Sequence, residues 1–124
     1  MSGWRSREVR SFRNAVAGIW ETFRSERHMR FHLVAAFIVI AIAAWCKLER
    51  WEWLWLIAAI SSVWVAELFN TAIERTVDRH SLDVHPLAKA AKDTAAGAVL
   101  IAALFAVTVG SIVLGPPLWK VCFQ

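Results

Sequence analysis

From Thr94 to Leu118 the chain carries no charged side chain. A helix of that length is long enough to cross the ~30 Å hydrocarbon core of a bilayer, so the segment reads as a membrane span. Gly115-Pro116-Pro117 is expected to close it, because proline cannot donate to the helical ladder. A second apolar run extends from about Trp53 to Ile73. A third, earlier in the chain, goes from Phe31 or Leu33 to Cys46 and is short by itself, but reaches spanning length when taken from Met29 to Leu48. Composition agrees, since 58% of the 124 residues are hydrophobic, against ~45–50% in ordinary soluble proteins. Trp51, Trp53, Trp55 and Trp119 fall near span ends, where indoles settle between hydrocarbon and headgroups. The expected fold is an all-α integral membrane protein, a single domain over 1–124, with spans at about 29–48, 53–73 and 94–118. A cleaved leader is not expected, because the basic stretch before the first span is long and Trp45 is too bulky for a small-residue cleavage site.

Charge placement sets the orientation. Arg5, Arg7, Arg10, Arg13, Arg24, Arg27 and Arg30 precede the first span, and Arg75, Arg79, Lys89 and Lys92 separate the second from the third. Lys47, Arg50 and Lys120 fall on the other side. The excess of basic residues places the N-terminus and the 74–93 segment in the cytoplasm and the C-terminus outside. The net charge of +4 is gathered beside apolar segments, which argues for a bilayer and against nucleic acid as partner. The two cysteines, Cys46 and Cys122, form neither a disulfide framework nor a C-x-x-C pair. Ahead of the first span, Val9, Phe12, Val16, Ile19, Trp20 and Phe23 recur at three- and four-residue intervals, while arginines dominate elsewhere. This spacing predicts an amphipathic helix over about 5–28 that lies flat on an anionic membrane surface, if only as an anchor. In the third span Ala95, Ala96, Gly97, Ala98, Ala102, Ala103 and Ala106 allow close helix approach.

The informative residues are polar and sit where polarity is costly. Glu67 and Asn70 lie inside the second span, and a carboxylate at membrane depth costs ~2.5–3.5 kcal/mol even on insertion scales. At 100° per residue Glu67, Asn70, Glu74 and Asp78 fall within about 80° of one another, forming one stripe from the bilayer to the cytoplasmic surface. Asp83, His85, Lys89, Lys92 and Asp93 crowd the short segment that follows. Oxygen ligands without sulfur suit Mg²⁺, which takes one or two carboxylates and completes its shell with water and phosphates. A lysine there can stabilise phosphate charge, and another carboxylate can serve as general base. Together these are the parts of a phosphoryl-transfer site. The bland alternative for Glu74, Asp78, Lys92 and Asp93 is a set of solvated loop charges; for Glu67 that alternative is poor. His28 and His32, four apart, would make only an incomplete zinc site. Neither a P-loop nor a kinase glycine-rich loop occurs.

The run Glu67-Leu68-Phe69-Asn70-Thr71-Ala72-Ile73-Glu74, then Val77-Asp78, then Ala91-Lys92-Asp93 with Ala95-Ala96-Gly97-Ala98-Val99-Leu100, resembles the prokaryotic diacylglycerol kinase family over nearly the whole chain. Phe12-Arg13-Asn14-Ala15 and Glu26-Arg27-His28-Met29-Arg30-Phe31-His32 look like its Gram-positive branch, which favours undecaprenol over diacylglycerol. The resemblance implies a homotrimer in the bacterial inner membrane, three spans and a surface helix per subunit, with active sites shared between neighbours. It also implies a lipid kinase using Mg²⁺ and ATP. By matching position, Glu67 would accept the lipid hydroxyl proton, Glu26 and Glu74 would bind Mg²⁺, and Asn70 and Asp78 would support the site. Lys92, Asp93, Asp83 and His85 would contact the nucleotide. Two other classes compete: a small multidrug or ion transporter would explain Glu67 but not the Lys92-Asp93 pair, and a structural membrane-shaping protein would explain the amphipathic helix but not Glu67.

Overall fold

The computed structural model describes residues 2–80 and 85–123, which form four helices: α1 (Ser2–Ser25), α2 (Arg27–Trp45), α3 (Arg50–His80) and α4 (Pro86–Phe123). The last three are each long and apolar enough to cross a membrane. All-helical architecture follows from the solvent: hydrocarbon offers no hydrogen bonds, so each span must satisfy its own backbone.

The element boundaries differ from the sequence expectation in three places. First, the helix expected over about 5–28 stops at Ser25, and the chain turns at Glu26, whose backbone is extended (φ −93°, ψ 123°). The turn keeps its bonds: Glu26 N–H donates to Thr22 O at 2.9 Å, and Arg30 N–H donates to Glu26 O at 3.2 Å. One residue thus reorients the chain with little loss of hydrogen bonding. Second, α2 ends at Trp45 rather than Leu48. Cys46 N–H closes the helix on Ile42 O, and Lys47 takes a left-handed conformation at φ 52°, the usual way a helix is stopped, though glycine normally fills that place. Third, α4 does not close at Gly115-Pro116-Pro117 but runs through to Phe123. The two prolines remove the N–H groups that would serve the Ile112 and Val113 carbonyls. Such a stretch is tolerated in membrane helices when local adjustment and neighbouring groups take over.

At the start of α3, Glu49 N–H donates to Glu52 Oε2 at 2.8 Å, the side chain reaching back to cap the helix start, and Trp51 Nε1 donates to Glu49 Oε2 at 3.0 Å. Helices α3 and α4 pack against each other most extensively, with α2 alongside. The buried core joins Ala43 of α2, Leu56 and Ala59 of α3, and Val109, Val113 and Leu114 of α4. These residues all lie toward the end of the bundle that carries the α2–α3 connection. In a bilayer such contacts are held by close packing of small and branched side chains rather than by escape from water. Along α1, Val9, Phe12, Val16, Ile19 and Trp20 are all exposed, and only its C-terminal end docks: Thr22 is buried, and the Phe23 ring meets Trp64 edge-on at 5.3 Å.

Candidate active site

The other end of the bundle is polar. Helix α3 carries Glu67, Asn70, Glu74 and Asp78 at three- and four-residue intervals, a stripe about 16 Å long at 1.5 Å per residue. Glu67 is its deepest member and only 5% exposed, with Val63 and Thr71 buried one turn to either side. A carboxylate so placed needs a partner, and it has one: His32 Nε2, from α2, lies 3.2 Å from Glu67 Oε1. Apolar clefts open beside His32. One is walled by Ala35, Ala36, Ile60, Val63 and Trp64, with His32 on its rim. The Trp64 indole N–H is buried without a hydrogen-bond partner.

One turn up the stripe, Asn70 Nδ2 donates to Glu74 Oε1 at 3.2 Å, while Asn70 Oδ1 stays buried and unpartnered. The amide thus turns an acceptor loose next to a carboxylate. Glu26, at the break between α1 and α2, is drawn to the same region by Arg75. The guanidinium donates through Nη1 to Glu21 Oε1 at 3.1 Å, and through Nη2 to Ser25 Oγ at 2.8 Å and Glu26 Oε1 at 3.3 Å. Arg75 thereby ties the C-terminal end of α1, and the break that follows it, to α3.

At the mouth of the stripe Lys92 of α4 donates to Asp78 Oδ1, bridging the two helices. The neighbouring Asp93 faces another way and pairs with Lys89 one turn back along α4. Lys92 and Asp93, adjacent in sequence, are therefore not one unit: the ~100° step of a helix sends them to different partners. His85 sits just before α4, its Nδ1 accepting the Leu87 N–H at 3.2 Å, so its ring helps to start that helix. Asp83 lies outside the described residues.

The donor chemistry of Glu26, Glu74 and Asn70 Oδ1 is all oxygen, which fits a hard divalent cation or the water around it. Among the described residues no group of three or more His, Cys, Asp or Glu side chains converges as a closed metal cage. A magnesium ion escorted by phosphates does not require one. His28 is exposed and His32 is committed to Glu67, so the two do not form a pair.

Two residues of this site are not picked out by sequence reasoning. His32 carries the same signal as Glu67, an ionisable group within an apolar run, but weighed only as a metal ligand it looks incomplete. Arg75 reads as one more cytoplasmic arginine; nothing in its spacing reveals three partners some fifty residues earlier.

Comparison with known proteins gives a consistent picture. The family model described as prokaryotic diacylglycerol kinase matches residues 13–114. An undecaprenol kinase of Bacillus subtilis is 43% identical over 113 residues, 91% of this chain and 92% of that protein. A diacylglycerol kinase of Synechocystis is 44% identical over 109 residues, covering 87% of this chain and 62% of that longer protein. A diacylglycerol kinase of Escherichia coli strain K12 is 34% identical over 97 residues, 78% of this chain and 80% of its own length.

Proposed function

The chain belongs to the prokaryotic diacylglycerol kinase family, and on that premise we propose that it moves the γ-phosphoryl group of Mg·ATP onto a membrane lipid alcohol, undecaprenol in preference to diacylglycerol. It is a bacterial membrane lipid kinase, and the proposal concerns how it works and on which lipid. The observation that carries the proposal is the stripe itself: a buried carboxylate at membrane depth, continuous along one helix with carboxylates and a lysine at the aqueous end. A phosphoryl donor that is water-soluble and an acceptor that is not must meet at such a boundary.

In this reading Glu67 takes the proton of the lipid hydroxyl as that oxygen attacks phosphorus, help that is typically worth ~10²–10⁴ in rate. The apolar cleft lined by the neighbouring His32 would admit an alcohol attached to hydrocarbon while keeping bulk water from competing. Glu26 and Glu74 would hold Mg²⁺, with Asn70 orienting Glu74 through the bond already described. Bound there, the cation would neutralise charge on the phosphates. Lys92 supplies a cation for the nucleotide, positioned by Asp78. Asp93, His85 and Asp83 are assigned to the nucleotide from the sequence resemblance.

The preference for undecaprenol rests on the Glu26–His32 segment and on the similarity to an undecaprenol kinase over nine-tenths of the chain. The exposed apolar face of α1 supports its lying on the cytoplasmic surface of the inner membrane. The small residues of α4 and the apolar surface left on all three spans support a homotrimer. The deciding experiment supplies ATP labelled at the γ-phosphate to membranes containing the protein, with undecaprenol or diacylglycerol at equal mole fraction. Label is expected in undecaprenyl phosphate at the higher initial rate. Faster labelling of phosphatidic acid would overturn the lipid assignment alone, and label in neither would overturn the reaction.

A further inference from the structure

We propose that His32 is a positioning residue for the transfer reaction: its Nε2–H grips one oxygen of Glu67 and so aims the other at the lipid hydroxyl. The inference rests on reading Glu67 as the base, and goes beyond it by naming what holds that base in place. Three observations support it. The pair is close, at 3.2 Å, and joins two different spans, α2 and α3. Both side chains are largely withdrawn from solvent, His32 to 20% and Glu67 to 7% exposure, so water does not supply an equivalent donor cheaply. The surroundings are otherwise apolar: the walls of the adjoining cleft are alanine, valine, isoleucine and the Trp64 ring.

A glutamate has three side-chain torsions, and in an apolar cleft nothing but a hydrogen bond selects among the rotations of its carboxylate. A base must lie within about 2.6–3.2 Å of the proton it removes, and a 1 Å displacement can cost ~10²-fold in rate. Anchoring Oε1 from α2 leaves Oε2 as the oxygen free to accept the proton. Neither the Asn70–Glu74 bond nor the Asp78–Lys92 bridge involves His32, so its effect should fall on the transfer step and not on nucleotide binding.

The test compares His32→Gln, His32→Asn and His32→Leu, alone and combined with Glu67→Gln, in the full-length protein with its lipid substrate. Glutamine carries an amide N–H about as far from the backbone as Nε2, whereas asparagine stops short and leucine has no donor. The Leu and Asn variants should lose about 10- to 100-fold in kcat, the usual worth of a hydrogen bond to a charged group, with KM for ATP unchanged. The Gln variant should recover most of that loss, and none of the three should lower kcat further once Glu67 is already glutamine. Thermal unfolding of each variant is followed in parallel, and the Gln-to-Asn contrast decides even if the Leu variant fails to fold. Equal activity of the Gln and Asn variants, a KM effect without a kcat effect, or full additivity with Glu67→Gln would overturn the inference. Full activity of Glu67→Gln by itself would instead overturn the assignment of the base, which keeps the two failures apart.

Discussion

Glu67 and Glu74 are seven residues apart on one helix face, yet a general base and a metal ligand should fail differently when the carboxylate becomes an amide. Glu67→Gln would remove the proposed proton acceptor, so turnover should fall by ~10²–10⁴ while apparent affinity for Mg·ATP changes little. Glu74→Gln removes a charged oxygen from the cation's shell, so metal and nucleotide retention should weaken together, and activity should climb as Mg²⁺ is added. A Mg²⁺ titration of both variants at fixed lipid and ATP, with ATP binding followed separately, checks this. Rescue of Glu67→Gln by Mg²⁺ together with normal ATP binding by Glu74→Gln would reverse the two roles. Legibility at this scale follows the cost of burial. Glu67 is evident in the sequence because an acid among apolar neighbours has to be explained. Its partner His32 carries the same signal but needs the third dimension to be matched with it, since α2 and α3 meet only after folding. Arg75 carries no signal at all, because an exposed arginine beside a span is also what orientation in a membrane requires.

Elements were legible where hydrophobicity writes them and not where single residues end them. The three apolar helices follow from run length, but the break at Glu26 does not: no proline or glycine marks it, and the backbone turns while keeping its bonds. The reverse holds for Pro116 and Pro117, which look like a stop and are not one. At the end of α2, Lys47 occupies a left-handed position that costs an L-residue about 1 kcal/mol. Lys47→Gly should therefore stabilise the protein by up to about 0.5 kcal/mol, after allowing for glycine's greater freedom in the unfolded chain. Thermal unfolding in detergent should shift upward with kinase activity unchanged, as this residue lies at the end of the bundle remote from Glu67. A downward shift would mean that the lysine side chain contributes more than its strained backbone takes away.

For the molecule as a whole, the charge distribution expects α1 and the α3–α4 connection inside and the α2–α3 connection outside. The native thiols offer a direct check, because Cys46 and Cys122 lie at the same end of the bundle and Cys122 is exposed. A membrane-impermeant maleimide should label Cys122 in right-side-out vesicles. With both native thiols replaced by serine, Arg79→Cys should react only in inverted vesicles; reaction of that variant from the outside would invert the topology. The apolar core also has a mechanical meaning. Leu56, Ala59, Val113 and Leu114 clamp the bundle at one end, while the polar stripe runs to the other. From Ala59 to Asp78 the helix extends nearly 30 Å, so that a tilt of about 2° at the clamp would carry its far end through about 1 Å. A methyl group trimmed from this core would therefore be felt at the stripe as a change of helix tilt, without any contact to its polar residues.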